Sequence, residues 1–159
     1  PSSRLNSIPC KEEDVLEVAS AMLAGELEYR KGNIEAAFSL LREAIELEDA
    51  LTYSDPPPWI QPIRHALGGL LLEQGRVEEA EILFKEDLGF AIGYPRRKAK
   101  LNNVWGLHGL YECFVRLGKK EEAAFLQPAY DIALASADVP IEVSCFCRRS
   151  AVMQEKCCS

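Results

Sequence analysis

The sequence has 159 residues, of which 48 % are hydrophobic and 27 % charged, and this composition excludes a wholly disordered chain. The formal net charge of −7 has the wrong sign for a protein that binds by neutralising phosphates, so we expect no nucleic-acid partner. No apolar run reaches the roughly 20 residues that cross a bilayer, so we expect no membrane partner either.

Six helices are predicted in chain order, and no strand pattern competes with them. The predicted ranges are about 12–30, 33–49, 59–74, 77–89, 102–117 and 120–136. Residues 1–11 form a leading coil, 12–137 the helical domain and 138–159 a cysteine-rich tail. Apolar and polar residues alternate after Asp138, which predicts an extended rather than a helical segment. This tail is either a strap folded over the groove or disordered.

Three segments align without gaps around a glycine: GELEYRKGNIEAAFSLL, GLLLEQGRVEEAEILF and YECFVRLGKKEEAAFLQ. The glycines are Gly32, Gly75 and Gly118, with a period of 43 residues. A glycine there permits the left-handed conformation that ends a helix, and an alanine five positions later lets the next helix pack closely. Each segment therefore predicts a helical hairpin.

The second segment resembles the tetratricopeptide repeat family most clearly, with Leu67 and Gly68 before the turn and Ala80 and Phe84 after it. The period exceeds the family's roughly 34 residues, and the extra length falls in two loops rich in turn formers. The resemblance implies an all-α, right-handed superhelix of three hairpins with an extended C-terminal tail. It also implies a protein-interaction scaffold that binds a peptide or partner protein in a concave groove.

One helix face is repeated in all three hairpins, because Met22, His65 and His108 each lie ten residues before a junction glycine. Residues four and eight positions later share that face. In the family that the chain resembles, this face lines the ligand groove. The resemblance therefore implies a groove formed by Met22, Glu26, Arg30, His65, Glu73, Trp105, His108, Glu112 and Arg116. A basic or mixed peptide is the expected ligand of such an acidic groove, and the alternative is a solvated helix face.

A metal-binding protein, with or without enzymatic activity, is the alternative function. His65 and His108 occupy equivalent positions, and a strap running back through the groove brings Cys145 and Cys147 towards them. Imidazole nitrogen and thiolate together suit copper or zinc, with Met22 as a weak further ligand. No catalytic residue is assigned by this pattern.

The six cysteines indicate a reducing compartment, and hence a cytoplasmic location, because they form no distributed disulfide framework. Cys157 and Cys158 are adjacent, and Cys10 is the candidate partner if either forms a disulfide. Since the sequence begins with Pro1 rather than Met, we expect a processed product or a piece of a longer parent chain. A longer parent chain and further copies of this chain are the candidate partners besides a peptide.

Overall fold

A computed structural model describes residues 10–148 of the chain. Within that range the regular structure is entirely helical, which confirms the predicted all-α class. The six α-helices are α1 (Glu12–Arg30), α2 (Ile34–Ala50), α3 (Ile63–Glu73), α4 (Val77–Asp87), α5 (Val104–Arg116) and α6 (Lys120–Ala135). None of these helices combines the length and apolar character that crossing a membrane requires.

The chain divides into two compact units between Ile63 and Arg64, at the first residue of α3. The first unit contains the α1/α2 hairpin, and the second contains the remainder of α3, α4 to α6 and the residues that follow α6. The right-handed superhelix stays a prediction.

In the first unit, α1 and α2 approach closely at a glycine. A Cβ atom placed on Gly25 would lie 2.7 Å from Cγ of Leu41, so only glycine fits there without a shift of the leucine. The rings of Tyr29 and Phe38 pack 6.1 Å apart near the turn, and both side chains are buried. The hairpin is therefore held by apolar contacts along one face of each helix.

In the second unit, helices again approach closely at glycines, here around Phe84 of α4. A Cβ on Gly68 of α3 would lie 2.6 Å from Cζ of Phe84, and a Cβ on Gly109 of α5 only 2.3 Å from the same atom. Two glycines on different helices thus form the slot that holds this fully buried ring. Gly68 and Phe84 correspond, repeat for repeat, to Gly25 and Leu41.

The three junction glycines adopt the left-handed conformation that their positions predicted. The φ angles of Gly32, Gly75 and Gly118 are +87°, +74° and +68°. An L side chain is strained at these angles, so each glycine ends one helix and lets the chain reverse.

The third helix begins four residues later than predicted, at Ile63 rather than at residue 59. Pro62 was expected within the first turn, but it directly precedes the helix. A proline disfavours helical geometry at the residue before it, so Gln61 cannot continue a helix backwards from Ile63.

The segment that follows α6 is extended only in part. Residues 138–145 form no helix, but Phe146–Arg148 forms a 3₁₀ turn, closed by a 3.1 Å bond from the Arg148 N–H to the Cys145 carbonyl. The expectation of a fully extended segment was wrong at these three residues. The turn allows Phe146 and Arg148 to contact the same helix, α5, at different points.

Candidate functional site

Residues 142–148, which we call the strap, pack on a face of the second unit built from α3 and α5. On α3, Gly69 leaves room for the strap: a Cβ there would lie 3.3 Å from both Cβ of Cys145 and Oγ of Ser144. The Cys147 thiol donates to the Ala66 carbonyl across 3.7 Å. Ser144 and Cys145 are both buried, so this part of the strap is packed into the unit.

On α5, the strap contacts the aromatic side chain of Trp105. The centroids of the Phe146 and Trp105 rings are 4.7 Å apart, with the ring planes tilted by 50°. Asn103 caps the helix by accepting from the N–H groups of Trp105 and Gly106, and this orients the first turn. Because Phe146 stays 58 % exposed, it packs against an open surface of Trp105 rather than in an enclosed pocket.

The strap ends on an ion pair with α5. Both Nη atoms of Arg148 donate to the Glu112 carboxylate, at 2.7 and 3.0 Å. Arg116 also pairs with Glu112, and it donates to the Leu72 carbonyl of α3 across 2.8 Å. Burial alone would raise the pKa of Glu112, but the hydrogen bonds from Arg148 and the nearby guanidinium charges hold it below its ordinary value.

His108 lies between the strap and α6. Its Nδ1 is 2.6 Å from the Tyr130 hydroxyl, and the imidazole also hydrogen-bonds to the backbone of Glu142. Burial lowers the pKa of His108, against the opposing charge of Glu112. His108 is therefore a neutral hydrogen-bonding group at pH 7, and it positions the start of the strap.

Two polar atoms at this face are buried without a hydrogen-bond partner among residues 10–148: Oε2 of Glu73 and Oγ of Ser144. The charge of Glu73 acts on Arg148 and contributes, with Glu112, to raising the pKa of that guanidinium against the effect of its burial. The buried guanidinium of Arg148 thus lies in the field of two carboxylates, those of Glu112 and Glu73.

His65, which the sequence predicted in the groove, has a buried partner on α4. It is 4 % exposed, and its Nε2 lies 2.7 Å from Oδ2 of Asp87. Lys100 donates to the other oxygen of Asp87 across 3.2 Å. Burial would raise the pKa of Asp87, but the hydrogen bond to His65, together with the nearby Lys100 ammonium, holds it below its usual range. This cluster ties the loop after α4 to the helices.

The three groove residues predicted in the first unit differ in their burial. Met22 is buried, Glu26 is half-buried and Arg30 is exposed. Burial raises the pKa of Glu26, with Arg30 acting in the opposite direction. Arg30 lies over the Tyr29 ring, with its guanidinium carbon 5.8 Å from the centroid.

The predicted metal ligands have other partners. His65 contacts Asp87, His108 contacts Tyr130, and the Cys147 thiol donates to a carbonyl. In the part of the chain that the structure describes, no group of three His, Cys, Asp or Glu side chains could hold a metal ion. The copper or zinc site therefore stays a prediction, since no ligand group for it is found within residues 10–148. Cys157 and Cys158 lie outside the described residues.

The structure brings together four of the predicted groove residues on α5, namely Trp105, His108, Glu112 and Arg116. The sequence reasoning did not assign Ala66, Gly69, Phe146 or Arg148 to the site. The signal for Gly69 was its place four residues after His65. The signal for Phe146 and Arg148 was an aromatic residue and an arginine in a tail that alternates in polarity.

Comparisons with known proteins returned no match: no protein-family model matches the chain, and no curated protein or solved structure is significantly similar to it.

Proposed function

We propose that this chain is a protein-interaction module of the tetratricopeptide type, and that its second unit binds an extended peptide segment on the α3/α5 face. The observation that carries the proposal is the strap itself. A stretch of polypeptide with little regular structure lies on this face and is held by ring packing, backbone contacts and a two-point ion pair. A surface that holds one such segment has the chemistry to hold another.

The proposed relationship to the tetratricopeptide family is supported by the repeated glycine contacts. Gly25 against Leu41 and Gly68 against Phe84 are close approaches between the two helices of a hairpin, and they recur at equivalent repeat positions. The third hairpin has Tyr111 and Gln127 at the equivalent positions, so it departs from the pattern.

The charge of the face favours a basic or mixed peptide, because Glu73 and Glu112 are its acidic groups. A cytoplasmic location belongs to the same proposal. It is supported by Cys10 and Cys113, two buried cysteines that are free thiols.

A peptide-library selection tests this function. A random 12-residue display library is selected against the immobilised full chain carrying Phe146→Ala and Arg148→Ala, which weaken the strap. Each enriched peptide is then measured against the same protein with Trp105→Ala added. We expect binders that lose affinity with that change. If selection enriches no sequence above an uncoated surface, or if every binder tolerates Trp105→Ala, the α3/α5 face is not a peptide site.

A further inference from the structure

We infer that the ligand of the α3/α5 face is an extended segment with an aromatic residue followed, two positions later, by an arginine, and that the strap competes with it from within the chain. This inference rests on the proposed function, and it specifies the partner's chemistry and the regulation of the site. Phe146 and Arg148 carry that pattern in the strap.

The arginine position has the most demanding recognition. Arg148 is only 8 % exposed, and its two Nη atoms match the two oxygens of Glu112. A guanidinium forms this fork with a carboxylate, whereas an ammonium forms a single point of contact. Glu73 adds a second negative charge near the guanidinium. The site therefore selects arginine over lysine.

Glu112 is held in place before any ligand arrives. Arg116, four residues later on α5, pairs with the same carboxylate and is itself anchored to the Leu72 carbonyl of α3. A carboxylate fixed in this way loses little side-chain freedom on binding. Arg116 is thus a positioning residue, and Glu112 is the residue that contacts the ligand.

The positions before the arginine are selected by shape. Trp105 offers an open ring face to an aromatic side chain, and Phe146 uses it at a centroid distance of 4.7 Å. Further back, even a Cβ on Gly69 would lie only 3.3 Å from Ser144 and Cys145, so we expect small side chains at these two ligand positions. The expected ligand pattern is small, small, aromatic, a small residue that can donate to the Ala66 carbonyl, arginine.

The strap is a competitor because it is tethered. Few residues separate the end of α6 at Ala135 from the strap, so its effective concentration at the face is of millimolar order. A partner in solution must exceed that concentration or bind more tightly. Phe146 is more than half exposed, so the occupied state is held chiefly by the buried strap residues Val143, Ser144, Cys145 and Arg148.

The test uses a fluorescent synthetic peptide of residues 141–148, IEVSCFCR, kept reduced. Its affinity is measured by fluorescence anisotropy for the full chain and for the full chain with Phe146→Ala and Arg148→Ala. The expected result is binding at least about tenfold tighter to the variant, because the tethered competitor is weakened. Arg97→Ala, at an exposed arginine of the loop before α5, is the matched control and is expected to bind as the parent does.

Two further changes test the arginine position. Glu112→Gln added to the strap variant, or Arg148→Lys in the peptide, is expected to lower affinity by about tenfold or more, because the two-point charged contact is lost. Equal binding by the parent and the strap variant would overturn the inference, and so would a peptide that binds equally well with Arg148→Ala.

Circular dichroism shows whether the double variant keeps its helices. If it does not, Arg148→Ala alone serves instead, since it keeps the Phe146 contact with Trp105, and a smaller gain in the same direction is expected. Library binders that require Trp105 but tolerate Glu112→Gln and carry no arginine would overturn this inference and leave the proposed function standing. A chain that binds neither the library nor the strap peptide would contradict both.

Discussion

Arg148 and Glu112, 36 residues apart in the sequence, join the end of the strap to the middle of α5 by two hydrogen bonds of 2.7 and 3.0 Å. The pair is largely buried, and Arg116 completes it from the other side of the carboxylate. Removal of one partner leaves a buried charge without its counterion, which costs more than the loss of an exposed ion pair. The ion pair therefore fixes the end of the strap on α5.

Acid is expected to release the strap. The pKa of Glu112 is lowered in the folded protein, so its contribution is present above the ordinary glutamate value of 4.5 and is lost as the pH falls through the lower, folded value. The indole N–H resonance of Trp105 reports release, because Phe146 packs against that ring. We expect the shift of this resonance that depends on Glu112 to occur below pH about 4.5.

Glu112→Gln is the control for this titration. At pH 7 it is expected to place the Trp105 resonance where acid places it in the parent, while circular dichroism keeps its helical signal. A resonance that shifts identically with pH in the parent and in Glu112→Gln would assign the transition to another group.

Gly109→Ala is expected to destabilise the second unit by about 1–3 kcal/mol, because the new methyl group overlaps the Phe84 ring. The sign of this change in unfolding free energy is diagnostic, because replacing a glycine by alanine within a helix ordinarily stabilises a protein, by up to about 1 kcal/mol. Urea denaturation followed by circular dichroism measures the change. The double variant Gly109→Ala with Phe84→Leu should cost less than the two single changes added together; strict additivity would mean that the ring and the glycine do not compete for space.

Asp87→Ala is expected to cost about 3–5 kcal/mol of unfolding free energy, because it leaves His65 and Lys100 without their shared carboxylate in the interior. Thermal unfolding of the variant measures the loss. Asp138→Ala removes the same charge at an exposed position and should change stability by no more than about 0.5 kcal/mol. If the two variants lost the same stability, the effect of Asp87 would come from the net charge of the protein and not from its contacts with His65 and Lys100.

Cys113 is expected to resist alkylation in the folded protein. Burial, reinforced by the charges of Glu112 and Glu81, raises the pKa of its thiol to about 12, so at pH 8 only about one in ten thousand is the reactive thiolate. Cys147, which is partly exposed, should react first with iodoacetamide. Peptide mass spectrometry after timed quenching ranks the two sites, and urea should remove the difference. Early modification of Cys113 without urea would show that α5 opens readily.

The helices and their turns were predictable because their determinants are local. Apolar periodicity marks a helix within a few turns, and Gly32, Gly75 and Gly118 end helices through their own φ angles. The start of α3 was missed because the effect of Pro62 on Gln61 was not applied, although that rule too is local.

The sequence by itself determined the helical hairpins, and it also placed Trp105, His108 and Glu112 on a shared stretch of α5, since a helix fixes the angles between its residues. The tertiary structure alone decided which side chains meet. His65 and His108 are equivalent by repeat position, yet one pairs with Asp87 in the core and the other with Tyr130. The physical reason is that packing between distant segments depends on local differences in side-chain size, such as the space that Gly69 leaves for the strap, and no single helix carries that information.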